Sequence, residues 1–311
     1  MSKSYSYRFL IILSFLAIYL IWGTTYLAIV IGVKEIPPFM MAFIRFFTAG
    51  LILVAYVLFK REKFPSAKTL LNNLIVGSII MVGGQGMLFW SEQYITSGFA
   101  SILIATLPLW FIVMDKRHWR LYFTNPYIIV GLIIGFVGIV VLFNDKLNEP
   151  IPEEAIQLQL IASIAVLVGG MCWVVGTIYY RSYPSPGSMY SNLGWQLILS
   201  SFVCLLISLI LNENQEMIWS NVSPEAWFSV LYLSIAGSVI AFIAYTWLLN
   251  EVPSAIVSTY AYINPIIAVF VGWLIADELI TGDQALGMAI ILASAILVNL
   301  SKGKALNTKE S

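Results

Sequence analysis

Charged residues are scarce in this sequence, since Asp, Glu, Lys and Arg together make up 10% of the 311 residues. Soluble domains carry roughly a quarter charged residues, so the composition excludes an ordinary water-soluble protein. Hydrophobic residues make up 60% of the chain and the mean hydropathy is +0.89, as expected for a protein embedded in a lipid bilayer. The formal net charge is +0, so we expect no nucleic-acid partner.

Cysteine and histidine are also rare, with two and one residues in the whole chain. Cys172 and Cys204 lie inside apolar stretches, which indicates small buried residues rather than a disulfide or zinc framework. His118 has no second His or Cys near it in the sequence, so a metal site or a histidine-dependent catalytic centre lacks support. No G-x-x-x-x-G-K-[ST] phosphate loop occurs. We therefore expect no cofactor, no metal ion and no enzymatic activity.

What the sequence does contain is a series of apolar stretches long enough to cross a bilayer, which takes about 17–25 residues. Short segments with Pro, Gly and charged residues separate them. The first stretch lacks a small-residue cleavage pattern, so we expect it to remain as a helix rather than to be removed as a signal peptide. The predicted spans are 9–31, 38–59, 70–90, 98–114, 126–143, 158–180, 188–211, 225–249, 254–275 and 284–301.

The cations fall almost entirely on one side of this topology. With a cytoplasmic N-terminus and a reversal at each span, thirteen of the sixteen Lys and Arg residues lie on the cytoplasmic side. Lys34 and Lys146 lie outside, and Arg45 lies within a span. Such a bias follows the positive-inside rule. We therefore predict an all-α integral membrane protein with ten transmembrane helices and both termini in the cytoplasm.

Four residues of the first half recur 157 positions later in the second half. They are Trp90, Ser97, Ser101 and Pro108, which correspond to Trp247, Ser254, Ser258 and Pro265. Ten spans divide into five and five, and an odd number per half forces the second copy to enter the membrane in the opposite orientation. We therefore predict a 5+5 inverted-topology repeat. The first repeat covers 1–145, the second covers 156–301, and 302–311 forms a cytoplasmic tail.

Three stretches carry a resemblance to a known family. "IWGTTYLAIVIGVKEIPPFMMAFIRFFTAG" (21–50) resembles the opening of EamA-type transporters in the drug/metabolite transporter superfamily. "QYITSGFASILIATLPL" (93–109) and "SAIVSTYAYINPIIAVFVGWLIADELITGDQALGMAIILASAIL" (254–297) are similar to the paired signatures of that family's two halves. The resemblance implies a ten-helix inverted repeat that exports amino acids, related metabolites or drugs across the bacterial inner membrane. The segment 114–123 departs from the family, which usually carries an acidic turn there, as the second half does at 276–278.

Arg45 and Glu92 are the charged side chains that the predicted spans bring into or beside the membrane. Arg45 lies about seven residues into the second span, roughly 10 Å from the helix start. A guanidinium at that depth normally faces a cavity or a partner. It either binds a substrate carboxylate or serves as a structural strut bonded to backbone carbonyls. Glu92, at the end of the third span, is either a gate or proton-coupling carboxylate or simply a solvated charge.

Pro108 and Pro265 stand in the middle of predicted spans at matching positions of the two halves. Proline removes a helix hydrogen bond, and broken helices in repeated halves indicate a central binding site; a packing kink without ligand contact is the alternative. Thr106 lies near the first kink, and Tyr260 and Asn264 lie beside the second. Further aromatic and polar residues in or near the spans would suit a cavity for amphipathic solutes, although each could also serve packing. These are Trp22, Tyr26, Gln85, Trp90, Trp173, Trp195, Gln196 and Tyr245.

Together these features predict a secondary transporter that exports small metabolites by alternating access. We expect it to act as a monomer in the bacterial inner membrane, with the lipid bilayer and a small-molecule solute as its partners. An uncoupled facilitator of the same architecture is the first alternative, because no Asp or Glu lies deep in a predicted span. A polytopic membrane enzyme acting on lipids is the second, but it would need clustered acid, base or metal ligands that the sequence does not show.

Overall fold

The structure, a computed structural model, describes residues 2–144, 153–276 and 280–300. Three predicted features fall largely or wholly outside these residues: the linker between the repeats, the acidic turn at 276–278 and the tail at 302–311. Predictions about them therefore stay predictions. Within the described residues all regular secondary structure is helical, in agreement with the predicted fold class.

The long helical segments follow one another in the order of the predicted spans, and we number them along the chain. They are α1 Ser2–Val33, α2 Pro38–Phe59, α3 Ala67–Ser91, α4 Ser97–Ile104 with Leu107–Met114, α5 Pro126–Leu142, α6 Glu153–Ser182, α7 Met189–Ile210, α8 Pro224–Glu251, α9 Ser254–Val257 with Tyr260–Ala276, and α10 Gly282–Leu300. Two short helices, Trp119–Thr124 and Glu213–Glu216, lie in the connections after α4 and α7.

Local sequence signals account for many of the helix starts. Proline occupies the first turn of α2, α5 and α8, where its missing N–H removes no helix hydrogen bond. Before α3, the Ser66 hydroxyl accepts a hydrogen bond from the Thr69 N–H at 3.2 Å, as a helix cap does. At α2 the cap comes from a distant segment, because the Glu213 carboxylate accepts from the N–H groups of Phe39 and Met40 at 3.2 and 2.8 Å.

Seven of the described helices are long and apolar enough to cross a bilayer: α1, α2, α3, α6, α7, α8 and α9. α4 makes an eighth if it counts as one span with the segment that follows it, which bends away by 68°. α5 and α10 are apolar but shorter. The outward helix faces carry many exposed Leu, Ile, Phe and Val side chains, which suits contact with lipid chains. The structure thus supports an all-helical membrane protein.

α4 and α9 are each interrupted, and hydroxyl side chains stand at both breaks. α4 breaks at residues 105–106, where the Thr106 hydroxyl donates to the Leu103 carbonyl at 2.6 Å. α9 breaks at residues 258–259, where the Thr259 hydroxyl donates to the Ile256 carbonyl at 2.8 Å. Such local bonds compete with the helix hydrogen bonds. The interruption expected at Pro265 therefore lies six residues earlier, and the helix continues through Pro265 itself.

α3 and α8 each contain a π-helical segment, at Ser78–Gly86 and Leu233–Ile240. In a π-helix the backbone bonds span five residues instead of four, and such segments occur often at functional sites. The sequence pattern predicted neither of them. Within the π-helical segment of α3, Gly84 lies against α6, where an added methyl group would be 3.2 Å from the Trp173 ring.

Helices from the two halves of the chain pack against each other. α1 packs on α8 and α9, α6 packs on α3 and α4, α2 lies along α7, and α5 lies along α10. Glycines permit the closest approach between α5 and α10. A methyl group added at Gly131 would lie 2.6 Å from Val298 Cγ2, and one added at Gly287 would lie 2.5 Å from the backbone nitrogen of Leu142. Small residues serve the same purpose in membrane helix pairs generally.

Candidate functional site: a cavity with a buried arginine

A cavity of about 60 Å³ lies among α1, α2, α3, α4, α6 and α9. It is lined by Trp22, Thr25, Tyr26, Ile29, Arg45, Gly84, Gln85, Leu88, Phe89, Ile104, Leu107, Gly169, Gly170, Trp173, Tyr260 and Asn264. The structure brings together seven of the residues that the sequence singled out: Trp22, Tyr26, Arg45, Gln85, Trp173, Tyr260 and Asn264. The remaining lining residues are small or apolar, and nothing in the sequence distinguished them from ordinary membrane-helix residues.

Arg45 supplies the charge of this cavity. It is 1% exposed, and its Nε donates a hydrogen bond to the Ser238 hydroxyl at 2.7 Å. Its guanidinium lies 5.3 Å from the ring centres of both Phe46 and Phe89. Among the described residues no carboxylate lies within ion-pair distance of it. This bond joins α2 to the π-helical segment of α8, as a strut would, while the guanidinium also lines the cavity.

Trp22 stands at the centre of an aromatic cluster that forms one wall of the cavity. Its ring contacts those of Trp173, Phe242, Tyr245 and Tyr260, with ring centres 4.7–5.7 Å apart. The Trp173 Nε1 donates to the Tyr245 hydroxyl at 3.0 Å, so Tyr245 supports this wall from behind instead of lining the cavity. Rings held in this way form a rigid apolar surface for part of a solute.

Both π-helical segments contribute polar groups here. In α8 the Gly237 carbonyl accepts from Trp22 Nε1 at 3.1 Å, and the neighbouring Ser238 accepts from Arg45. In α3 Gln85 lines the cavity, and its Oε1 is buried without a hydrogen-bond partner. Sequence reasoning missed Gly237 and Ser238, because a glycine and a serine in an apolar helix most often serve packing.

Asn264 bridges α9 and α1. With its amide nitrogen turned toward them, it donates to the carbonyls of Tyr19 and Tyr260 at 3.1 and 3.0 Å. A buried amide needs hydrogen-bond partners, and these two carbonyls supply them. The Gln85 oxygen, which has no hydrogen-bond partner, is an acceptor that a ligand can use.

Several predicted site residues do not line the cavity: Trp90, Thr106, Pro108, Trp195, Gln196, Tyr245 and Pro265. Thr106 and Pro108 flank the lining residue Leu107. Trp195 packs on the Phe64 ring, with centres 5.0 Å apart, and Gln196 donates to the Asn73 side chain at 3.4 Å. α7, which carries both of these residues, packs on α2 and α3 from outside the cavity.

Glu92 lies one residue beyond α3, and its N–H bonds the carbonyl of Leu88, a lining residue, at 3.0 Å. The side chain is 7% exposed, and both carboxylate oxygens are buried without a hydrogen-bond partner. The hypothesis of a simple solvated charge is therefore wrong. Burial raises the pKa of Glu92, which lies outside the membrane-spanning segment of α3, to about 8.

A second polar cluster joins the ends of α4 and α6 to the start of α9. Asp115 accepts a hydrogen bond from the Tyr122 hydroxyl at 3.0 Å and lies 2.9 Å from His118 Nδ1. Arg181 donates to the Ser254 hydroxyl at 2.7 Å. Burial opposes ionisation of Asp115, but His118, Tyr122 and the charge of Arg181 outweigh it and hold the pKa of Asp115 below its usual value. Asp115 is therefore part of a buried junction between these helices.

The profile of the EamA-like transporter family matches the chain twice, at residues 9–144 and 160–300. The chain belongs to this family. Membership confirms the resemblance seen in the sequence, and the family is one of transporters rather than enzymes.

This EamA-like chain is similar to the "Uncharacterized inner membrane transporter YedA" of Escherichia coli K12, with 32% identity over 287 residues, 92% of this chain and 89% of that one. It is 23% identical over 294 residues to the "Probable amino-acid metabolite efflux pump" of the same organism, over 92% of this chain and 93% of the other. A solved structure described as "Crystal structure of protein" matches with a TM-score of 0.72 and 18% identity, over 93% of this chain and 96% of the other. That last likeness concerns the fold alone.

Proposed function

We propose that this protein is an inner-membrane exporter that carries small amphipathic solutes bearing a carboxylate, such as amino acids and related metabolites, by alternating access. The observation that carries this proposal is a buried guanidinium, without a counter-ion among the described residues, beside an aromatic wall. The names of the relatives, an inner membrane transporter and an amino-acid metabolite efflux pump, support the location and the solute class.

Each part of the cavity has a counterpart in such a solute. The free edge of the Arg45 guanidinium binds a carboxylate, since arginine pairs with it through parallel N–H donors. The Gln85 oxygen accepts from an ammonium or amide N–H, and the rings around Trp22 contact the apolar part.

We further propose that ten helices cross the membrane as two inverted repeats, 1–145 and 156–301, with both termini cytoplasmic. The two separate matches to the family profile support this, as does the distribution of cations. The helix contacts are also reciprocal, because α1 packs on α8 and α9 as α6 packs on α3 and α4. The pair Gly131–Val298 corresponds to the pair Leu142–Gly287, with both members moved by 156 positions. A pseudo-two-fold axis that relates the two halves would map one of these residue pairs onto the other in this way.

Counterflow in proteoliposomes tests the proposed solute class. Vesicles with the purified protein are loaded with single amino acids, and uptake of the same labelled amino acid is measured. Each amino acid that exchanges is then compared with the amine that lacks its carboxylate. We expect exchange of the amino acid and not of the amine. Equal exchange of both would show that the carboxylate is not what Arg45 recognises.

Three variants test the role of Arg45. Arg45→Ala should abolish exchange while the protein still inserts and stays monodisperse. Arg45→Lys keeps the charge but loses the planar pair of N–H donors. It should weaken the apparent affinity for the amino acid about tenfold or more, because a charge-assisted hydrogen bond contributes about 1.5–3 kcal/mol. Arg120→Ala removes an exposed arginine and should behave as wild type. If Arg45→Ala fails to fold and Arg45→Lys exchanges at the wild-type rate, the arginine is a strut after all.

A further inference from the structure

We propose that Glu92 is the proton-binding group of this transporter and that its protonation is linked to solute binding through Tyr26. The inference rests on the transport function proposed above. It separates a proton-coupled exporter from an uncoupled facilitator, a choice that the sequence left open.

The surroundings of Glu92 disfavour its charged form. Leu88 lies four residues before Glu92, and Ile95 lies three residues after it. Both pack with Tyr26 and with Ala162 and Val166 of α6 in one apolar cluster. A carboxylate transferred from water into such surroundings without a hydrogen bond costs several kcal/mol. The neutral acid avoids most of this cost, so the group holds a proton when this region is closed.

No positive charge offsets this effect in the described part of the chain. The ionisable side chains of the apolar cluster are Tyr26 from α1 and Tyr94 from the connection after α3, and neither carries positive charge. Arg45 of α2 bonds Ser238 instead, and no described Lys, Arg or His forms an ion pair with Glu92. The elevated pKa of Glu92 follows from burial alone.

Tyr26 connects this carboxyl group to the solute. It lines the cavity and also packs in the apolar cluster with Leu88 and Ile95, which lie four residues before and three residues after Glu92. A solute that displaces water near Tyr26 changes the proton affinity of Glu92. By thermodynamic linkage, protonation of Glu92 changes the affinity for the solute by the same factor as the solute changes the proton affinity. When the cavity opens to water on one side of the membrane, the carboxyl group releases its proton to that water, and when the cavity opens on the other side it takes up a proton from the water there.

Infrared titration tests the protonation state without any transport assay. The carbonyl stretch of protonated carboxyl groups is followed with pH in the full-length protein in lipid nanodiscs, for wild type, Glu92→Gln and Glu225→Gln. Glu225 is an exposed carboxylate in the first turn of α8 and serves as the matched control. We expect a band that persists at neutral pH and disappears near pH 8, present in wild type and the control and absent in Glu92→Gln. A wild-type protein without that band at neutral pH, or a Glu92→Gln variant that keeps it, overturns the proposal.

The coupling is tested by the ratio of amino-acid uptake with a pH gradient to uptake without one. We expect a ratio several-fold above one for wild type and Glu225→Gln, a ratio of one for Glu92→Gln, and a retained response in Glu92→Asp, which keeps a carboxyl group. The same gradient response in Glu92→Gln as in wild type would refute the coupling role. If wild type exchanges no amino acid, the proposed solute class fails, while the infrared titration still decides whether Glu92 holds a proton.

Discussion

Replacing Gly287 with alanine should loosen the contact between α10 and α5. The added methyl group would lie 2.5 Å from the backbone nitrogen of Leu142 and 2.6 Å from its Cα. Ordinary contacts begin at 3.4 Å, so the two helix backbones must separate by about 0.9 Å. Backbone atoms cannot rotate away as a side chain can, and the whole interface has to adjust.

The expected cost follows from two opposing effects. Overpacking a tight contact costs about 1–3 kcal/mol. A methyl group that contacts backbone atoms, as here, should cost an amount at the upper end of this range. Alanine recovers about 1 kcal/mol of helix propensity relative to glycine. The net destabilisation of Gly287→Ala is therefore about 2 kcal/mol. Gly131→Ala should cost less, because its closest neighbour is the Val298 side chain at 2.6 Å while the nearest backbone atom is 3.3 Å away.

Thermal unfolding of the detergent-solubilised protein, followed by tryptophan fluorescence, measures this series. The matched control is Gly282→Ala, since a methyl group there meets nothing within 4 Å. We expect the midpoint temperature to fall in the order Gly282→Ala, Gly131→Ala, Gly287→Ala. A Gly287→Ala protein as stable as Gly282→Ala would show that α5 and α10 are not packed as closely as the structure has them.

Two further predictions concern the connections between helices. Glu213→Gln should lower the unfolding midpoint and the free energy of unfolding, the latter by about 1 kcal/mol. The reason is that the carboxylate caps the N-terminus of α2 through the N–H groups of Phe39 and Met40. A midpoint equal to that of the exposed-site variant Glu225→Gln would contradict this. The pKa of Asp115 lies below its usual value, so the ionised carboxylate stabilises the fold above the pKa of the unfolded chain, and this stability is lost as pH falls through the lower folded-state pKa. Asp115→Asn should therefore reduce stability at neutral pH and flatten the loss of stability as the pH falls below the ordinary pKa of an aspartate. Equal pH profiles for wild type and variant would argue against the junction.

Helix boundaries and individual site residues differ in how far the sequence predicts them. The predicted spans agree closely with the helices, because hydropathy and turn residues such as Pro38, Pro126 and Pro224 act locally. The sequence also indicated that Arg45 needs a cavity or a partner, since it is a charge in an apolar span, and in the structure it lines the cavity and bonds Ser238. Trp195 and Gln196 looked equally suitable, yet they face Phe64 and Asn73.

The amino-acid sequence by itself determined the class of protein, the positions of the apolar helices and the family, because each depends on local composition or on motifs along the chain. Only the tertiary structure decided which residues face the cavity, since lipid and protein core are both apolar and leave no polar face to mark the inner side of a helix. It also brought Ser238 to Arg45 from 193 positions away. The burial of Glu92 was likewise a tertiary outcome, because helices distant in the sequence pack around a residue that would otherwise be a solvated helix end.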